Sequence, residues 1–535
     1  MSIDVEQGKV IERLNKYLKW NNLPLKMNKA GMCNGLAMVY AKYALEKKQK
    51  EFMELLHYVA GKKINQEMED RVNFFITEIL VSYMPEMFDL KLNQSNSMQT
   101  LKVNDKPLKS AFDFALTTSD KNWEEIIKTI GLQENEVMRV SSINHTVCVG
   151  RNKGKYVIYN PNYSSGCKEF HNERELISEL HTNVFHYTKG PLGLLSSGPL
   201  GMEINVIPHP DNPPRSFPKV SDIYDAYLNR DNVNDVAITD GKEFNTLQEA
   251  ASIADSAAIK KLLSLGAIDK ELEATADAII ANNIQAIDTL LLNIKPENEK
   301  FVPALFVAAL RFGRKEALEQ LINFKNPIPL NPVTAVYWAA HGGNPELLKR
   351  VLDLYDAPLN VTVTKGDAIS SAIEGGSVEC VEILMGYLNT KKQYLTDDKK
   401  LHYLLESIKN NQPYITAALI QNTPEPLFKA ILMSTAAVER TDLSILHQLR
   451  EKGVVFSDTA NAVIAQKEHR PVGIMMSIGI MLTKFSDFCK EMFNTNSGLS
   501  YNRASFFEKS NANNSKLKES KNENDENRDI PKLTT

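Results

Sequence analysis

The stretch Thr334-Ala-Val-Tyr-Trp-Ala-Ala340, followed by His-Gly-Gly343, Asn-Pro-Glu346 and Leu347-Leu-Lys-Arg-Val-Leu352, decides how most of this chain is built. Apolar residues recur at three- and four-residue steps on both sides of the paired glycines, so it reads as helix, tight turn, helix. The pattern returns. Asn245-Thr-Leu-Gln-Glu-Ala-Ala251 leads through four residues to Ser256, then to Ala258-Ile-Lys-Lys-Leu-Leu263 and Leu265-Gly-Ala267. Marking the position between paired helices gives Ala254, Asn282, Gly313, Gly343, Gly376, Asn411, Arg440 and Lys467, separated by 27 to 35 residues. The copies at Ala254, Gly313, Gly343 and Gly376 are plain, and those at Asn282, Asn411 and Arg440 are degenerate. The segment at Lys467 reads as an eighth copy or a cap. A fixed period of this kind means units that bury their apolar faces only by stacking.

The array resembles the ankyrin repeat, whose period is about 33 residues. In that repeat a small Ala pair lets two antiparallel helices approach, and Gly closes helix ends at positive φ. The resemblance implies an all-α solenoid over residues 241–485, with seven repeats, or eight if the last segment counts. Stacked helix pairs with projecting turns form a concave surface suited to another folded protein. Tyr337 and Trp338 lie in a first helix, where they either anchor a partner or fill the gap between neighbouring repeats.

Outward from the array, the pattern changes at both ends. Residues 8–130 read as mostly helical, with Leu36, Val39, Tyr40 and Tyr43, then Val72, Phe75, Ile76, Ile79, Leu80 and Tyr83 at helical spacing. From about 137 the period becomes two: His145, Val147 and Val149 alternate with Thr146, Cys148 and Gly150, and Tyr156-Val-Ile-Tyr159 returns as a second strand. Met202-Glu-Ile-Asn-Val-Ile207 predicts a further strand that stops at His209-Pro-Asp-Asn-Pro-Pro214, where donors are missing and φ is fixed. We therefore expect an α+β domain over residues 1–210, a linker over 211–240, and a polar, disordered tail over 486–535 that has almost nothing to bury.

Composition narrows the function classes. The 535 residues carry 62 Lys+Arg against 66 Asp+Glu, a net charge of −4, so no global cationic field holds nucleic acid. The five cysteines (33, 148, 167, 380, 489) form no close pair, which fits a reduced compartment and disfavours structural zinc. The amino terminus predicts no signal peptide, and the longest apolar run, Gly473 to Leu482, is about half of the ~20 residues a transmembrane helix needs. No spacing of ligand residues or phosphate-cradling loop supports a metal or a nucleotide cofactor.

One constellation looks chemical. Lys29-Ala-Gly31-Met-Cys33-Asn-Gly35 places a thiol where a glycine-containing loop enters a helix, whose unpaired N–H groups favour a thiolate. His145 opens one strand of the expected hairpin and Asn160 ends the other. With the turn centred between Asn152 and Lys153 the pairs are 149/156, 147/158 and 145/160, close enough for the amide to hold the imidazole. A bulge at Gly154 would instead move His145 opposite Pro161. Cys148 points to the other face by alternation, Cys167 sits in a loop after Gly166, and Cys380 falls within a second helix of a repeat.

Cys, His and Asn in that order resemble the papain-like cysteine proteases over residues 10–208. The 112 residues from Cys33 to His145, with Tyr159-Asn-Pro-Asn162 following, are similar to the YopT/avirulence-type branch, where an Asp-Pro-Asn stretch is usual; Asn160 replaces that Asp, as papain itself uses Asn. The resemblance implies Cys33 as nucleophile, His145 as base and Asn160 as the group orienting the ring. Asn28 is either a polar loop residue or the side-chain oxyanion donor, one residue short of papain's spacing for Gln. A thiol-hydrolase-like domain before ankyrin repeats and a polar tail also resembles the ankyrin effectors that intracellular bacteria such as Legionella inject into host cells. That resemblance implies type IV secretion through the carboxyl end and host proteins docked on the repeats. Two functions stay open: a Cys33-dependent protease, or related deamidase or transglutaminase, and a non-catalytic scaffold that binds and redirects a host complex.

Overall fold

The computed structural model describes residues 4–20, 32–61, 66–85, 97–143, 145–187, 198–239, 241–325, 327–355, 366–410, 412–429, 431–433, 438, 441 and 443–468. Asn28, residues 469–485 and the tail at 486–535 lie outside them, as do the markers Asn411 and Arg440.

Helices α1 (Gln7–Trp20), α2 (Cys33–Leu45), α3 (Gln49–Gly61) and α4 (Gln66–Tyr83) precede a short hairpin, β1 (Lys102–Val103) and β2 (Lys106–Pro107). There follow β3 (Phe112–Thr118), α5 (Asp120–Ile130), β4 (Glu136–Ser141), β5 (Thr146–Asn152), β6 (Lys155–Tyr159), β7 (Cys167–Phe170), α6 (Glu173–Glu179) and β8 (Leu200–Pro208). The last six strands make one antiparallel sheet in the order β3-β8-β4-β5-β6-β7. This is the expected α+β domain, but the helical reading of residues 8–130 fails at β3. Phe112, Phe114 and Leu116 alternate with Asp113, Ala115 and Thr117, a strand pattern whose partner, β8, lies some ninety residues on in the chain.

Alternation sends each strand's residues to two different cores. Met138, Val140, Val147, Val149, Ile158 and Ile204 pack with Trp123 and Ile126 of α5 and Leu176 of α6. Val137, Cys148, Tyr159 and Ile207 pack instead with Leu36 and Tyr40 of α2. Tyr40 stacks on Tyr159 at 4.4 Å between ring centroids. Helix α2 is buried on all sides, and Gly35 makes that possible: a Cβ there would stand 2.8 Å from the Ile79 carbonyl oxygen of α4.

Of residues 211–240, expected as a linker, the described ones, 211–239, are packed structure. Both oxygens of Glu136 accept from Arg215, at 2.6 and 2.8 Å, and Phe217 stacks on Phe112. Helix α7 (Val220–Tyr227) buries Tyr224, whose hydroxyl donates to the Ala115 carbonyl at 3.1 Å. Strands β9 (Val236–Thr239) and β10 (Lys242–Asn245) then lay Phe244 against Gly201. The prolines do end β8, but the segment has enough apolar residues to fold back on the sheet. The sheet and the first repeat share one continuous core.

Six helix pairs follow among the described residues, from Thr246–Ala251 with Ser256–Ser264 to Asp397–Lys409 with Pro413–Asn422. The markers Asn282, Gly313, Gly343 and Gly376 all take positive φ, between 56° and 81°. The residue after two of these markers does two jobs. Asn283 and Asn344 cap their own second helix and donate to the preceding marker's carbonyl, Ala254 at 2.8 Å and Gly313 at 2.8 Å. Lys467 breaks the series: it lies inside the helix Asp458–Glu468, its ammonium bound to the Thr441 carbonyl, so it is no turn between helices.

Candidate functional site

Cys33 is the first residue of α2, and its preceding Met32 offers no side-chain cap. The first-turn amides are consequently available to the thiol: the backbone N–H groups of Thr146, Asn34 and Cys33 lie close enough to the sulfur to favour its thiolate. Thr146 follows His145 directly and begins β5, so the sulfur lies by the strand head that carries the imidazole.

His145 is buried, and its Nε2 lies 2.8 Å from Oδ1 of Asn160. The same oxygen accepts from the Asn162 backbone N–H at 2.9 Å, which fixes the amide. The edge of Phe185 covers the ring on another side. The register behind this contact differs from expectation. Lys153 and Gly154, at φ 50° and 79°, form a two-residue turn, and Val149 pairs with Ile158 and Gly150 with Val157. The pairs 149/156, 147/158 and 145/160 are therefore corrected by two residues, and the one-residue shift from a bulge does not occur. Continued past Tyr159, the ladder sets Asn160 beside Val147, not His145. A slip of two preserves the face, so the amide reaches the imidazole along the diagonal.

Burial opposes the thiolate that the helix start favours. Burial at 1 % exposure pushes the Cys33 thiol above its ordinary range and outweighs the three backbone N–H groups and the nearby Arg139 charge that pull it down. Burial also lowers His145, partly offset by Asn160. Both groups are thus neutral at rest.

The remaining cysteines separate clearly. Cys148 is fully buried against α2, and Cys380 is packed in its repeat with its thiol pushed up to about 11 by burial. Cys167 starts β7, half-buried beside the Tyr40 hydroxyl, and burial raises it to about 11. In the solenoid, Tyr337 is buried, its carbonyl taking a bond from Ser371 of the next repeat at 2.9 Å. Trp338 is only partly buried, with the Arg311 guanidinium 5.3 Å from its ring and His341 at its edge.

Sequence reasoning missed the polar group beneath the site. Arg139, Glu203 and Asn205 are all buried in the middle of their strands. A charge at mid-strand in Glu136-Val-Met-Arg-Val-Ser141 was the available signal, since ionised groups are seldom buried without a partner. Among the described residues no three His, Cys, Asp or Glu are placed to hold a metal, and no helix is long and apolar enough to cross a membrane.

Residues 305–397 match the family Ankyrin repeats (3 copies). No curated protein matches the chain. The chain carries ankyrin repeats over those residues, and such repeats suggest protein–protein interaction.

Proposed function

We propose that the α+β domain is a thiol acyl-transfer enzyme of the cysteine-protease type, directed to a protein substrate by the ankyrin repeats. The carrying observation is the 2.8 Å contact between His145 Nε2 and Asn160 Oδ1, at the head of the strand whose next N–H, that of Thr146, faces the Cys33 sulfur. Asn160 Oδ1 can only accept, so His145 Nε2 carries the hydrogen and Nδ1 keeps the lone pair of a base. In this reading Nδ1 takes the Cys33 proton as the sulfur attacks an amide carbonyl. The C–N bond then breaks, the amine leaves with that proton, and a thioester remains. Water releases an acid, as in a protease or deamidase; an amine acceptor gives a transglutaminase. The Cys33 backbone N–H is the first candidate donor for the developing oxyanion. By resemblance, the chain would act as a translocated effector on a host protein.

The depth of Cys33 favours a second reading, a papain-like shell that binds without catalysis. Comparing proteomes of cells expressing the chain and its Cys33→Ala form decides between them. The enzyme predicts new termini, deamidated sites or cross-links that vanish with Cys33→Ala and fall about 10²-fold or more with His145→Ala. Identical proteomes, with partner capture intact, leave the scaffold.

A further inference from the structure

We infer that Arg139 is a positioning residue for Cys33, pinning the first turn of α2 and supplying the positive charge beside the sulfur, with Glu203 as a counter-charge shared with the first ankyrin repeat. This rests on the reading of Cys33 as nucleophile.

The geometry is a chain of buried contacts. Arg139 Nε donates to Asn34 Oδ1 at 3.0 Å, and Nη1 donates to Asn205 Oδ1 at 2.8 Å. The other end of the Asn34 amide donates to Ser97 Oγ at 3.0 Å and to the Ser82 carbonyl at 3.4 Å, so the side chain after the nucleophile is held from both sides. Its backbone N–H is one of the three that meet the Cys33 sulfur. Glu203 Oε2 stands 3.7 Å from Arg139 Nη1, and its Oε1 accepts from Ser252 Oγ at 2.8 Å. Ser252 closes the helix Thr246–Ala251, the first of the repeat array. Packing alone gives no reason for a cation here, because an apolar residue of similar volume fills a core at lower desolvation cost than a buried ion pair. A cation within reach of a thiol has a chemical use: it favours the thiolate formed when the proton passes to His145.

The groups that bear on the sulfur come from each element around the start of α2. They are Arg139 from β4, with Glu203 of β8 and Asp113 of β3 flanking it, and His145 stands next to Thr146 at the head of β5. The buried Lys42–Glu78 pair lies more than two turns further along α2.

The test is a thiolate titration of the full chain by ultraviolet absorbance, each protein measured against its own Cys33→Ser form. Arg139→Gln is expected to leave about tenfold less thiolate at a given alkaline pH, one pK unit. Glu203→Gln is expected to move it the other way, by a few-fold more thiolate. Loss of a merely structural contact would move both variants in the same direction or neither, and either result overturns the inference. If circular dichroism shows Arg139→Gln unfolded, Glu203→Gln decides alone: more thiolate supports the assignment, and unchanged or less thiolate overturns it. The titration needs no substrate. A chain that modifies no protein yet shows the opposed shifts loses the enzyme reading and keeps the coupling of Arg139 to Cys33.

Discussion

Two regions of this chain turn on the same device and differ in how often they use it. Between paired helices the repeats turn on residues at positive φ at Asn282, Gly313, Gly343 and Gly376; the residues that follow tie the turn to the preceding repeat at Asn283, Arg314 and Asn344, and Ser377 caps its own helix. The hairpin that brings Asn160 to His145 reverses once, at Lys153 and Gly154. In the array an error of register at one copy is exposed by the next. In the sheet nothing checks it, and the correction by two residues at the hairpin is the result. The difference is one of redundancy, and it can be pressed experimentally.

The largest effect concerns whether the two regions are separate at all. If residues 211–240 were a free linker, Tyr224→Ala would be silent. Because its ring is buried against Phe114, 5.6 Å between centroids, and its hydroxyl holds the Ala115 carbonyl, the substitution is expected to cost about 4 kcal/mol. Urea unfolding should show the loss in the sheet domain and in the repeats together, since one core runs through both. Unfolding of one region with the other untouched would restore the linker.

A smaller effect contrasts two glycines. Gly342 has ordinary helical φ, yet a Cβ there would stand 2.1 Å from the Leu310 carbonyl of the preceding repeat. Gly342→Ala must push two repeats apart, and about 3 kcal/mol is expected. Gly154 has the opposite character: nothing lies within 4 Å of its missing Cβ, and only φ at +79° resists a side chain. Gly154→Ala should cost about 1 kcal/mol. Equal losses in urea titrations of the two variants would mean that backbone conformation, not contact between copies, sets the value of glycine in the array.

The same contrast explains what was legible. The helix pairs, the turns at Gly313, Gly343 and Gly376 and the cap at Asn344 follow from local spacing and turn chemistry, so they could be read directly. Cys33 at the head of α2 was legible for the same reason, as a glycine-flanked residue before an apolar helix. Strand β3 was not, because its pairing with β8 is non-local and its run Phe112–Thr118 is short. The meeting of His145 and Asn160 was right in partners and wrong in register, because alternation specifies a face and leaves the count along the strand to a single turn. The rest state of the thiol was hidden because burial is a tertiary quantity. The helix start at Cys33 is local and favours the thiolate, while the walls of β4 and β5 that exclude water are not local and win.

The smallest effect isolates that tertiary term. Burial keeps the His145 ring neutral and holds its pKa below the ordinary histidine range, whereas the unfolded chain protonates the ring within that range. As pH falls from neutrality the unfolded state therefore binds more protons than the folded one, and stability drops with pH until the folded ring also protonates. Above the ordinary histidine range both states are neutral there and the contribution is fully present. His145→Gln cannot titrate and should lose less stability between neutral and mildly acidic pH than the parent, with all other titrating groups common to both. Urea midpoints at the two pH values give the difference directly. Parallel pH slopes would mean the ring protonates as easily folded as unfolded. The site would then be open to water, and the depth assigned to Cys33 beside it would fall with it.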